Sequence, residues 1–209
     1  MVESGSANDH LRLAFRHDAA YAVRQRAFDV AIAGMALALA SPILTLASVA
    51  IWLEDGAPVL FKQQRVGRFG RPFTIYKLRT MRTDACGDAL SPSTNKDSRV
   101  TRVGKWLRKA SIDELPQLFN VLRGDMAIVG PRPEMPFVVD SYLPWQHLRH
   151  LVKPGITGLW QTSCRSQIPL HRPEATKIDL EYIRTASTTT DSQLVLRTFG
   201  ALFSTNGAY

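Results

Sequence analysis

The sequence predicts an α/β protein, helix-rich with short strands, built as a membrane-associated monotopic domain with an N-terminal re-entrant helix hairpin. Three observations predict this. The stretch AFDVAIAGMALALASPILTLASVAIWL, residues 27–53, carries one charge, Asp29, and about 20 apolar residues suffice to reach across a bilayer. Basic residues flank it on both sides, Arg24 and Arg26 before it and Lys62, Arg65, Arg68 and Arg71 after it. Beyond it, short apolar runs alternate with helical patterns and Gly/Pro turns.

The apolar segment, residues 24–54, is expected to be re-entrant for two reasons. Ser41-Pro42 lies near its middle, and proline removes a backbone donor and strikes the preceding turn, so a helix kinks or breaks there. The positive-inside rule draws both basic flanks to the cytoplasm. A crossing helix strands one flank outside; a segment that bends at Ser41 and Pro42 and returns strands neither. The Ser41 hydroxyl is expected to satisfy backbone exposed at the bend, and Asp29 to pair with Arg26 or Arg24. Residues 1–23 are polar, without a strong period, and read as a mobile or partly helical lead-in.

After the membrane segment comes a domain over 55–190. PVLFKQQRVG reads as a short strand ending in a turn at Gly67, and RPFTIYKLRTM as a strand running into a site. Residues 85–99 are polar and turn-rich, a surface loop. VGKWLRKA reads as a short helix, and MAIVGPRP as an apolar run stopped by Gly130-Pro131. PFVVDSYLPWQHLRHLV is expected to be amphipathic, KPGITGLWQT to turn and then extend, and KIDLEYIRTA to be a helix. Residues 191–209 form an amphipathic C-terminal segment with Leu194, Val195, Phe199, Leu202 and Phe203 opposite Arg197.

A net charge of +8 and pI near 9.9 point to a polyanionic partner: nucleic acid, acidic lipid or a phosphorylated substrate. No nucleic-acid motif is present, and a 27-residue apolar run does not suit a nucleic-acid binder. Cys86 and Cys164 stand far apart, so neither a structural disulfide nor a zinc site is expected. The five histidines show no metal-binding spacing, and no Walker loop or dinucleotide GxGxxG occurs.

Chemistry concentrates in SIDELPQLFNVLRGDMAIVGPRP, residues 111–133. Ser111 to Glu114 fits the capping-box pattern S-x-x-E, the purely structural alternative. Pro116 argues against it: with Ser111 as N-cap, the proline ring strikes the Ile112 carbonyl. A helix starting nearer Leu115 is expected instead, with Leu118, Phe119 and Leu122 buried and Gly124 past its end. Asp113 and Glu114 then stand at its start, both ionised, and one is free to act as nucleophile or magnesium ligand. Lys77, Arg79, Arg108, Lys109, Arg123 and Arg132 accompany them. Arg132, stiffened between Pro131 and Pro133, suits bidentate phosphate recognition.

These motifs resemble, in order and over about 24–209, the bacterial sugar transferases of the monotopic phosphoglycosyl transferase type. The resemblance rests on the Ser41-Pro42 break, FKQQRVGRFGRPFTIYKLRTM, GKWLRKASIDELPQLFNVLRGDMAIVGPRP and KPGITGLWQ. It implies transfer of a sugar-1-phosphate from a UDP-sugar to polyprenyl (undecaprenyl) phosphate, releasing UMP, with Mg2+ as cofactor. It assigns Asp113 as the nucleophile, Glu114 as the magnesium ligand, and Lys77, Arg108 and Arg132 to phosphate, with Arg79 grouped among them. It also implies contact with membrane lipids and residence at the cytoplasmic face of the bacterial inner membrane; homodimerisation is left open. Departures from the family pattern fall at Cys164, at Ala186 and over residues 166–175. The alternative is a non-catalytic membrane-surface scaffold for a glycan assembly pathway, which would not need the intact Asp113-Glu114 pair.

Overall fold

In the computed structural model residues 19–85, 97–163 and 168–203 are described. The expected lead-in up to residue 18, most of the 85–99 loop, the Cys164 departure and the last six residues lie outside them. The apolar segment forms helix α1 (Ala19–Asp55), long and apolar enough to cross a membrane, with Pro42 inside it. Where the sequence predicts a break at Ser41-Pro42, the helix runs through both residues without a connecting turn. The reason is local. Pro42 has no N–H for the Ala38 carbonyl, and the Ser41 hydroxyl donates to that carbonyl at 2.8 Å. The Thr45 hydroxyl bonds Ser41 O at 2.9 Å. Side chains thus repair the ladder that the proline interrupts.

Both ends of α1 are tied to the same domain. At the start, the Arg26 guanidinium donates to Val121 O and Leu122 O at 2.6 and 2.7 Å, carbonyls at the end of a helix that lack intrahelical partners. Tyr21 donates to Asp191. The buried Asp29 carboxylate accepts from Ile128 N at 2.8 Å, so Asp29 and Arg26, expected to pair with each other, each bond backbone instead. At the far end, Glu54 accepts from the Arg102 and Val103 amides, and Asp55 accepts from the Thr83 amide and hydroxyl. Between these ends Leu39 and Leu46 are more than 70% exposed.

Strands β1 (Leu60–Val66) and β2 (Pro72–Leu78) form an antiparallel hairpin, register Leu60↔Leu78 to Val66↔Pro72. Helix α2 (Arg102–Lys109) follows. A 3-10 turn over Ile112–Glu114 leads into α3 (Gln117–Arg123), closed by Gly124 at φ 94°, a left-handed conformation that suits glycine. Phe119 is 49% exposed and not on the buried face expected for it; Asn120 is buried there instead. It bonds β2 through Thr74 O and Tyr76 N, satisfying the edge of the hairpin.

Strands β3 (Ala127–Val129) and β4 (Gly155–Thr157) pair in parallel. A Cβ on Gly155 would sit 2.1 Å from Gly130 N, so this crossing demands glycine. The PFVV stretch makes a short helix, α4 (Pro136–Val139), and a 3-10 stretch runs over Pro144–Leu151. LWQT, expected to be extended, is the helix α5 (Leu159–Ser163). Helices α6 (Pro173–Thr185) and α7 (Thr188–Phe203) complete the described residues. The core gathers Ala33 of α1, Ile75, Leu118, Val121, Met126, Ile128, Val129, Tyr182, Ile183 and Leu194, so the membrane-type helix is also a core helix along one stripe.

Candidate active site

Asp113 and Glu114 sit together in the 3-10 turn between α2 and α3. Ser111 before them is left-handed, φ 54°, and its side chain caps nothing. The capping-box alternative therefore fails: the turn spends its geometry on presenting two carboxylates and not on starting a helix. Pro116 is the N-cap of α3, in accord with the reading that this helix starts beyond the pair.

The two carboxylates have different surroundings. Glu114 Oε1 accepts from Lys77 Nζ at 2.8 Å and Arg132 Nη2 at 2.6 Å, while Oε2 has one longer contact, 3.4 Å to Arg132 Nη1. Asp113 is 7% exposed, and among the described residues no hydrogen bond reaches its carboxylate. Burial works to raise the pKa of Glu114, but Arg132 and Lys77 override it and hold the group well below the usual carboxylate range. Burial pushes Asp113 up to about 6, with Lys77 opposing and the neighbouring Glu114 charge adding. Paired carboxylates driven apart in this way suit different tasks.

The predicted cations divide. Lys77 comes from the end of β2 and Arg132 from the loop after β3, and they converge on Glu114. Arg108, in the last turn of α2, donates to Thr80 Oγ1 at 3.1 Å, and its charge is felt at Asp113. Arg79 does not join them. Its buried guanidinium bonds Asp55 O and Gly56 O and pairs with the Asp55 carboxylate at 3.2 Å. The chain turns out of α1 at this point, where helix-end carbonyls need donors, so Arg79 fastens the end of α1. Arg123 bonds the Tyr76 hydroxyl, and Lys109 lies over the Trp106 ring.

Two further arginines grip the Pro131-Arg132-Pro133 loop. Arg149 Nη2 donates to Arg132 O at 2.9 Å, and Arg65 Nη1 donates to Pro133 O at 3.1 Å. Prolines have no N–H, so the loop is held chiefly through its carbonyls. Arg149 also bonds the Tyr142 hydroxyl and pairs with Asp179 on α6 at 2.6 Å, both partners almost wholly buried. Arg65 reads in the sequence as a basic flank and Arg149 as part of an amphipathic stretch. The lone acid Asp179 on the buried face of α6 was the available signal for a buried cation.

The site thus offers one clamped carboxylate, one buried but unbonded carboxylate, and cations around both, beside a long apolar helix. Chemistry that neutralises and moves phosphate requires equipment of this kind. The chain belongs to the bacterial sugar transferases, whose family description matches residues 20–205. It is 45% identical over 194 residues to a UDP-glucose:undecaprenyl-phosphate glucose-1-phosphate transferase of Caulobacter vibrioides, covering 90% of this chain and 72% of that protein. A protein of the same name from Escherichia coli is 40% identical, covering 88% of this chain and 41% of its own length. A UDP-N-acetylgalactosamine-undecaprenyl-phosphate N-acetylgalactosaminephosphotransferase of Aeromonas hydrophila is also 40% identical, covering 90% and 45%. The chain therefore spans less than half of the latter two relatives.

Removing Arg149 separates stability from positioning. Arg149→Met leaves Asp179 buried and unpaired and is expected to cost about 3–5 kcal/mol of unfolding free energy. Arg149→Met combined with Asp179→Leu is expected to regain most of that stability in thermal melts. Turnover of the double variant stays low, because the Arg132 carbonyl still lacks its donor.

Proposed function

We propose that the chain transfers a sugar-1-phosphate from a UDP-sugar to undecaprenyl phosphate, the first membrane step of a glycan assembly pathway, through a covalent intermediate on Asp113. The observation that carries this reading is the contrast within the dyad: Glu114 is clamped by Lys77 and Arg132, and Asp113 beside it is bonded by neither. A nucleophile needs an uncommitted lone pair; a charge-neutralising partner needs to be fixed.

In the first half-reaction an Asp113 carboxylate oxygen attacks the sugar-bearing phosphorus of the donor. The bond from that phosphorus to the bridging oxygen breaks, and UMP leaves with the electron pair. In the second, an oxygen of the lipid phosphate attacks the same phosphorus, the acyl phosphate bond breaks, and Asp113 returns as a carboxylate. Lys77, Arg108 and Arg132 lower the repulsion between the anions that must meet. Magnesium suits this donor set, since it takes one or two carboxylates plus substrate phosphates and Glu114 Oε2 carries only the 3.4 Å contact; when bound it supplies further neutralisation of the diphosphate. Glu114 is the residue that would hold it.

The same reading places α1 in the cytoplasmic leaflet of the bacterial inner membrane, entering and leaving on one side. The bonding of both its ends to one domain supports this, because a straight crossing helix would carry one end away from the domain.

Asp113→Asn is expected to abolish UMP release, with no sugar-phosphate mass added to the protein by UDP-sugar alone. Glu114→Gln is expected to retain adduct formation at a reduced rate that rises with magnesium. An adduct on another residue would falsify the nucleophile assignment.

The reactive form of Asp113 is the ionised one, so activity is expected to be present above pH 6 and to fall on acidification through about 6. A carboxylate of ordinary pKa would place that limb near pH 4. The acid limb of kcat/KM for the donor, measured with folding monitored in parallel, reads this directly.

For topology, single cysteines at Ala22 and Gln64, in a background with Cys86 and Cys164 replaced by serine, are expected to resist an impermeant thiol reagent in intact cells. Both label once the membrane is opened. Labelling of either one in intact cells shows a crossing helix.

A further inference from the structure

Three amide side chains are buried among the described residues: Gln117, Asn120 and Gln146. Two of them bond through both nitrogen and oxygen. Asn120 donates to Thr74 O and accepts from Tyr76 N. Gln146 donates to Thr176 Oγ1 and accepts from Leu143 N. Gln117 is 1% exposed, and among the described residues nothing accepts from its buried Nε2. A donor taken out of water and left unbonded costs stability. Folded domains tolerate such groups where function needs them.

Gln117 stands one helical turn beyond the dyad. Backbone bonds from Leu115 N to Ile112 O, Leu118 N to Leu115 O and Phe119 N to Pro116 O carry one helical path from the 3-10 turn into α3. Residues three and four apart on such a path are neighbours, about 5–6 Å between Cβ atoms. Gln117 is four residues from Asp113 and three from Glu114. It also lies midway between two attachments to β2, the Glu114–Lys77 pair before it and the Asn120 bonds to Thr74 and Tyr76 after it. Asp113 is likewise buried and accepts no hydrogen bond among the described residues. A glutamine and an aspartate one turn apart can bond each other; here both are left free.

We infer that Gln117 is a catalytic residue that donates from Nε2 to a non-bridging oxygen of the phosphoryl group in transit. The inference rests on the proposed function. Once Asp113 is joined to the phosphorus, the phosphoryl oxygens lie two bonds from its carboxylate, within reach of a side chain one turn away. The donor is neutral. An amide adds a hydrogen bond where charge develops without drawing the nucleophile into an ion pair, as a lysine would. Unbonded in the resting enzyme, Nε2 has no partner to give up when the phosphoryl group arrives.

The test uses the full chain in lipid nanodiscs with Gln117→Met, close in size and without the donor, and with Gln117→Leu. Rapid quenching and mass spectrometry follow adduct formation from UDP-sugar, then discharge of the preformed adduct by undecaprenyl phosphate. The phosphoryl group is present in both steps. Both rate constants are therefore expected to fall about tenfold or more, with the half-saturating concentrations of donor and lipid staying within about twofold. Thermal melts of both variants are expected to match the wild type or lie higher, because a buried unbonded donor is lost. A structural role predicts the reverse, lower melting with unchanged rates per folded molecule. Unchanged rates in either folded variant overturn the assignment, and so does a lowered melting temperature in both. Slowing of one half-reaction alone overturns it too, and gives Gln117 to UMP or to the lipid. A wild-type chain that forms no adduct at all overturns the reading of the dyad, and the role of Gln117 with it.

Discussion

The structure depends on the anchoring of α1 at both ends. Arg26 and Asp29 at one end, and Glu54 and Asp55 at the other, exchange charged groups with backbone amides and carbonyls of a single domain. Hydrogen bonds to charged groups are among the stronger ones available, about 1.5–3 kcal/mol each. They hold an apolar helix against a domain that is otherwise polar and basic. Ala33 then completes the core, and Arg79, which resembles a phosphate ligand in the sequence, is spent on the exit from α1.

The site follows the same rule of fixing charged groups through backbone. Arg132 bonds Glu114 with its side chain while its own carbonyl is held by Arg149, itself fixed by Asp179. The result is a chain of two ion pairs, joined by one hydrogen bond to a backbone carbonyl, from α6 to the dyad. Burying such pairs contributes little net stability, but each step restricts where the next guanidinium can go. Preorganised charge of this kind is what phosphoryl transfer requires of a protein.

Much of this was legible in the sequence. The hairpin strands, the short helix before the dyad and Gly124 as a helix terminator follow from local pattern and backbone chemistry, and the structure has them within a few residues. The Ser41 hydroxyl does meet the carbonyl that Pro42 leaves open. A serine directly before proline supplies the missing donor without unwinding the turn, and the helix continues through Pro42. Roles of single arginines were the least legible. Arg79, Arg65 and Arg149 are chemically identical to Arg132, and only tertiary placement decides whether the fork meets a helix end, a proline carbonyl or a carboxylate. Helical period places Phe119 in the core, but its side of α3 faces outward and the ring is half exposed. At the Ala186 departure the residue caps α6 and packs against the core.

The clamp on Glu114 has a consequence for how the two half-reactions share one site. In the proposed cycle Asp113 carries one negative charge as a free carboxylate. Joined to the sugar phosphate it becomes a mixed anhydride, whose phosphoryl group also carries one negative charge. The electrostatic load seen by Lys77, Arg108 and Arg132 is therefore nearly the same before and after the covalent step. A rigid set of cations, already balanced against Glu114, has no reason to rearrange between donor and acceptor. Exchange of UMP for the lipid phosphate becomes a replacement of one anion by another against a constant background.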